Sequence, residues 1–238
     1  MDPEPADVDV DRPAPRWGIG DAVAGFLLGN TLVVLFVGIW AGVTGRSELS
    51  FGAIALGQVA LWIGLLGVPL WATAKKGSGS AARDFGLVVR AKDAVTGLPV
   101  GVVCQLVVVP LIYLPFRTFV DVDKLDEPAR ELADKAHGFG FLALAVVLVI
   151  GAPVIEELFF RGLLLRAIDR RFGPAWALAG SSFGFALAHL EGLQFPALLA
   201  VGVVFGVLAQ RARRLGPSIF AHGAFNLVVV VALALDRR

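Results

Sequence analysis

The chain has 238 residues, 57% of them hydrophobic and 17% charged, with a net charge of +1 and a mean hydropathy of +0.77. A soluble domain is nearer half apolar and a quarter charged; here the excess falls into runs of about 20 residues, the length that crosses a hydrocarbon core. This excludes a soluble globular protein, the lack of a basic stripe outside short loops excludes a nucleic-acid partner, and the single cysteine excludes an intramolecular disulfide.

The first 16 residues, with Asp2, Glu4, Asp7, Asp9, Asp11 and several prolines, cannot build a core and are expected to form a disordered tail. A signal peptide would begin with a basic region and a shorter apolar core. This chain begins acidic, so its first apolar run reads as a retained helix. Residues 17–238 then read as one transmembrane domain, an all-α polytopic bundle of seven to eight helices. Seven candidates fall at roughly 21–43, 51–74, 94–116, 139–169, 175–190, 196–213 and 217–235. Cys104, inside the third run, reads as a small packing residue. The fourth run is too long for one straight span and is expected to tilt, or to break near Gly151 and Pro153. Gly180 with Gly184, and Gly202 with Gly206, place small residues one turn apart for close helix packing.

Lysine and arginine collect in alternate loops. Lys75, Lys76, Arg83, Arg90 and Lys92 follow the second span, Arg166, Arg170 and Arg171 the fourth, and Arg211, Arg213 and Arg214 the sixth. The positive-inside tendency makes these loops cytoplasmic, with the tail inside and the C-terminus outside. Four basic residues in the loop 117–137 run against that assignment, and the six carboxylates there carry little weight for orientation. The expected location is the plasma membrane of a bacterial cell.

Ionisable residues inside spans are costly and mark function. Six polar residues recur in the last third: Glu156, Glu157, Arg161, His189, His222 and Asn226. Glu156 and His189 lie about 16 residues on either side of the turn around Phe172, hence at one depth, roughly 24 Å from it. His222 and Asn226 share a face one turn apart. Being fewer residues from their own turn, they require either that the turns lie at different depths or that the site is slanted. Glu157 and Arg161 are spaced i,i+4 with the acid first, the favoured ion-pair geometry. Glu156, about 100° away, has no such partner and is free to move a proton. His189 can hold a water with Glu156, and His222 with Asn226 can donate to an oxygen becoming negative. His137, in the acidic loop, lacks such company.

These segments resemble the type II CAAX prenyl endopeptidases and the wider CAAX-protease and bacteriocin-processing (CPBP, or Abi) family of intramembrane proteases. The family pattern EExxxR, FxxxH, HxxxN is met by Glu156, Glu157 and Arg161, then Phe185 and His189, then His222 and Asn226. The resemblance covers roughly 139–232. It implies a polar cavity open to the cytoplasm, with Glu156 and His189 activating water, His222 and Asn226 stabilising the oxyanion, and Glu157, Arg161 and Phe185 in support. The family is often labelled metalloprotease. Zinc is therefore possible, on His189, His222 and Glu156, but the chain lacks the His-Glu-x-x-His helix of zincins and no cofactor is favoured.

The leading function is thus an intramembrane endopeptidase acting, in contact with the lipid bilayer, on a peptide or lipidated-protein substrate, prenylated CAAX-type chains being one candidate class. A non-enzymatic immunity or scaffold protein is the alternative. A transporter is the third, and it would show paired repeats and broken helices in both halves.

Overall fold

The computed structural model describes residues 15–236 apart from 47 and 120. The expected tail therefore lies outside the described residues except for Pro15 and Arg16. Among the described residues every regular element is helical, and the protein is an integral membrane protein. The long helices are α1 (Ile19–Thr44), α2 (Phe51–Lys76), α4 (Ala91–Phe116), α6 (Phe139–Phe172), α8 (Phe195–Ala212) and α9 (Gly216–Asp236), each long and apolar enough to span. Between them lie the short helices α3 (Ala81–Phe85), α5 (Glu127–Lys135) and α7 (Pro174–Ala188). Helices are the form such runs must take, because hydrocarbon offers no partner to an open backbone N–H or C=O.

Local signals set the helix ends. The Asp21 carboxylate accepts from Gly18 N–H at 2.9 Å to open α1, and Gly45, at φ 64°, closes it. Ser50 Oγ caps α2, and Asp93 accepts from Arg90 N–H at 2.9 Å at the start of α4. The fifth predicted span is α7, only 15 residues long and ending at Ala188; the remaining candidates stand with small shifts at their ends.

The basic loops share one end of the bundle. There Lys76 Nζ meets Asp21 at 2.6 Å, and the Arg170 guanidinium lies 3.7 Å over the Trp17 ring. Arg166 donates to the Arg213 carbonyl and Arg214 grips Asp93 with two nitrogens. At the other end Tyr113 Oη–H donates to the Leu193 carbonyl at 2.6 Å, Gln194 to that of Leu125 at 2.7 Å, and Arg130 pairs with Asp236.

The turns at the basic end do not share one depth. The Leu215 N–H donates to the Gly86 carbonyl and that of Gly216 to Val88, so a backbone strip from the 77–90 loop covers the start of α9. Leu215 and Phe85 are fully buried, and a Cβ at Gly162 would lie 3.5 Å from Leu215 and 3.0 Å from Phe85. Helix α9 thus starts level with Gly162, roughly 15 Å short of the end of α6 at Phe172. Of the two arrangements open from sequence, the turns do lie at different depths.

Helix α6 does not break at Pro153. It continues through two stretches of π-turn, Val147–Gly151 and Leu158–Leu164, which absorb an extra residue each. The closest helix contacts occur at glycines outside the two predicted pairs. A Cβ at Gly64 would sit 2.2 Å from the Gly25 carbonyl oxygen on α1, and one at Gly101 2.0 Å from that of Ala221 on α9. The predicted pairs do pack: Gly202 abuts Ser182 and Gly184 abuts Leu164.

Candidate active site

Helix α6 supplies the carboxylates. Glu157 and Arg161 form the expected pair, Nη1 to Oε1 at 2.8 Å, with both side chains fully buried. Arg161 also donates from Nη2 to the Gly202 carbonyl of α8 at 3.1 Å. Its guanidinium lies 4.4 Å from the Phe185 ring centroid and 5.8 Å from that of Phe205. Two hydrogen bonds and two aromatic faces thus replace part of the hydration that this cation loses on burial, its Nε having no hydrogen-bond partner among the described residues.

His222 comes to the same carboxylate. Its Nδ1 lies 3.1 Å from Glu157 Oε1, and its Nε2 lies 3.9 Å from Glu156 Oε2. Glu157, paired with Arg161, can only accept, so the proton shared with His222 sits on Nδ1. The depth difference between the turns is what permits this contact. His222 is six residues into α9 and Glu157 five residues before Gly162, which puts both at one level. Glu156 has a side chain 16% exposed, and its buried Oε2 has no protein hydrogen-bond partner among the described residues.

His189 ends α7. Its Nδ1 lies 2.9 Å from the Phe185 carbonyl, an acceptor, so Nδ1 carries the proton and the neutral ring keeps its lone pair on Nε2. The Phe185 ring packs against His189 at 4.8 Å and against His222 at 5.6 Å between centroids. The two histidines are therefore gathered around one phenylalanine, and only His222 touches the carboxylates.

Asn226, one turn beyond His222, donates from Nδ2 to the Leu148 carbonyl of α6 at 2.8 Å. That carbonyl is free for a local reason. In the π-turn the Ala152 N–H donates to Val147, and Pro153 has no N–H to give. At the second π-turn Ser181 donates to the Phe160 carbonyl at 2.8 Å, a carbonyl that also accepts from the Leu165 N–H.

Sequence reasoning missed Phe205, the Gly202 carbonyl and the Leu148 carbonyl. Pro153 signals an orphan acceptor about one turn before it, since it has no N–H to donate; nothing in the sequence marks Phe205. Among the described residues no three His, Cys, Asp or Glu side chains are grouped to hold an ion.

Residues 138–228 match the family model described as type II CAAX prenyl endopeptidase Rce1-like. The protein named "Putative membrane peptidase YdiL" of Bacillus subtilis (strain 168) is 30% identical over 88 residues, covering 37% of this chain and 36% of that protein. No solved structure matches. The stretch carrying Glu156, His189, His222 and Asn226 is thus Rce1-like, the resemblance that its three motifs imply.

Proposed function

We propose that the protein is an intramembrane endopeptidase that hydrolyses a peptide bond in a membrane-associated substrate, CAAX-type prenylated peptides being the first class to try. The observation that carries the reading is the contrast between two adjacent carboxylates. Glu156 Oε2 stands 3.9 Å from His222 with no hydrogen-bond partner among the described residues, whereas Glu157 accepts from both Arg161 and His222 on Oε1, only its Oε2 being unpartnered. One glutamate is left to work and the other to hold.

In this mechanism Glu156 takes the proton of the attacking water, and His189 Nε2 orients that water by accepting its second hydrogen bond. The developing oxyanion is met by His222 and Asn226. With Nδ1–H given to Glu157, His222 donates from Nε2 only as the imidazolium, whose charge the adjacent carboxylates balance. Asn226 anchors one amide hydrogen on Leu148 and has the second to donate. Protonated Glu156 then delivers its proton to the leaving amine. No step passes through a metal. The basic end lies at the cytoplasmic face, with the N-terminus, in keeping with twelve basic side chains in its loops and helix ends.

The test is cleavage of a fluorogenic farnesylated CAAX-type peptide by the purified protein, beside Glu156→Gln, each with and without chelator. Loss of a positioned general base lowers the rate about 10²- to 10⁴-fold, with folding unchanged. Cleavage by Glu156→Gln at the wild-type rate overturns the assignment, and loss on chelation with rescue by zinc overturns the metal-free mechanism.

A further inference from the structure

Resting on that reading, we infer that Phe205 is a positioning residue for His222. Phe205 lies on α8, fully buried, in none of the three motifs. Its ring stacks on the imidazole with centroids 5.3 Å apart and planes 29° from parallel. Phe185 meets the same imidazole edge-on at 88°. The hydrogen bond from Nδ1 to Glu157 is a single attachment about which the imidazole could swing. A face contact and an edge contact at right angles stop that swing, and so aim Nε2 at the side where Glu156 stands. The same two rings flank the Arg161 guanidinium, so one aromatic pair orients both groups that touch Glu157.

Among the described residues, His222 is paired with Glu156 and Glu157, both from α6. Helices α7 and α8 meet it with the rings of Phe185 and Phe205, and His189 makes a separate contact with Phe185. Helix α4 meets α9 through Gly97 and Gly101. Phe205 therefore sets the plane of the imidazole without adding charge. Its loss lets the oxyanion donor drift, which is expected to cost turnover more than binding.

The experiment compares wild type, Phe205→Leu and Val201→Ala in lipid nanodiscs. Val201 is 1% exposed in the same apolar cluster, one turn earlier, and serves as the packing control. Two quantities are read: kcat and KM on the farnesylated peptide, and the ¹⁵N resonance of His222 Nδ1 without substrate. Phe205→Leu is expected to lower kcat about tenfold to a hundredfold, as a misplaced catalytic group does, with KM within about twofold. The Nδ1 resonance should move towards that of a freely rotating histidine. Val201→Ala should melt lower with both quantities unmoved. A Phe205→Leu protein with wild-type kcat, or with an unmoved Nδ1 resonance, overturns the proposal. Where leucine fails to fold, Phe205→Met takes its place. Because the resonance needs no substrate, a wild type that leaves the farnesylated peptide uncut rules out that substrate class while the Nδ1 shift still decides whether Phe205 positions His222.

Discussion

Arg161→Met probes the Glu157–Arg161–His222 cluster most directly. Methionine fills much of the same volume between Phe185 and Phe205 but removes the charge and both hydrogen bonds, to Glu157 Oε1 and to the Gly202 carbonyl. If the arginine acted only through those bonds, the loss would be small. Interhelical hydrogen bonds in membranes average about 0.6 kcal/mol, so two would cost roughly 1 kcal/mol. Glu157, however, is fully buried and would be left with His222 as its sole charge partner. Removing one member of a buried pair costs about 3–5 kcal/mol, because the survivor stays desolvated. That is a large part of a typical folding free energy of about 5–15 kcal/mol. The larger figure should therefore be observed. Adding Glu157→Gln should recover part of it, since the stranded charge is gone, with a coupling of about 0.5–3 kcal/mol. Arg161→Lys should fall between, keeping the charge but losing the planar fork that reaches both acceptors. The assay is reversible unfolding in mixed micelles, followed by tryptophan fluorescence. A cost near 1 kcal/mol for Arg161→Met, or a double variant as unstable as the two single losses added, would refute the argument.

Asn226→Ala should cost about 1–3 kcal/mol by orphaning the Leu148 carbonyl at membrane depth. Adding Pro153→Ala restores an N–H for α6, so the double variant should lose less than the separate losses combined; strict additivity in the same unfolding assay would show that Pro153 and Asn226 are not coupled. Gly101→Ala places a Cβ 2.0 Å from the Ala221 carbonyl oxygen and should destabilise by about 1–3 kcal/mol through overpacking, whereas Gly42→Ala, with open space around it, should be neutral or mildly stabilising. Equal melting temperatures for those two variants would show that α4 and α9 are not in backbone contact at Gly101.

Local features are legible from the residues alone. Hydropathy marks each span because a run of about 20 apolar residues has no other place to go. The Glu157–Arg161 pair is legible because i and i+4 meet on any helix, and the grouping of basic loops is legible because antiparallel spans return alternate loops to one end. The resemblance of 139–232 was legible because three motifs fall in order on successive helices. The tertiary structure decided which of these groups touch. Equal residue counts from a turn suggest equal depth only when the turns themselves are level. Here Leu215 and Gly216 are drawn inward onto Gly86 and Val88, so His222, by residue count the shallower histidine, is the one that reaches both glutamates. The π-turns in α6 shift the register of everything after Pro153 and free the carbonyl that Asn226 takes. Phe205 stood in the sequence as one more apolar residue of a membrane helix, and only the packing of α8 across α9 gives it an imidazole to face. Spacing along a helix fixes faces within that helix; the rotation and depth of one helix against another come from the contacts between them.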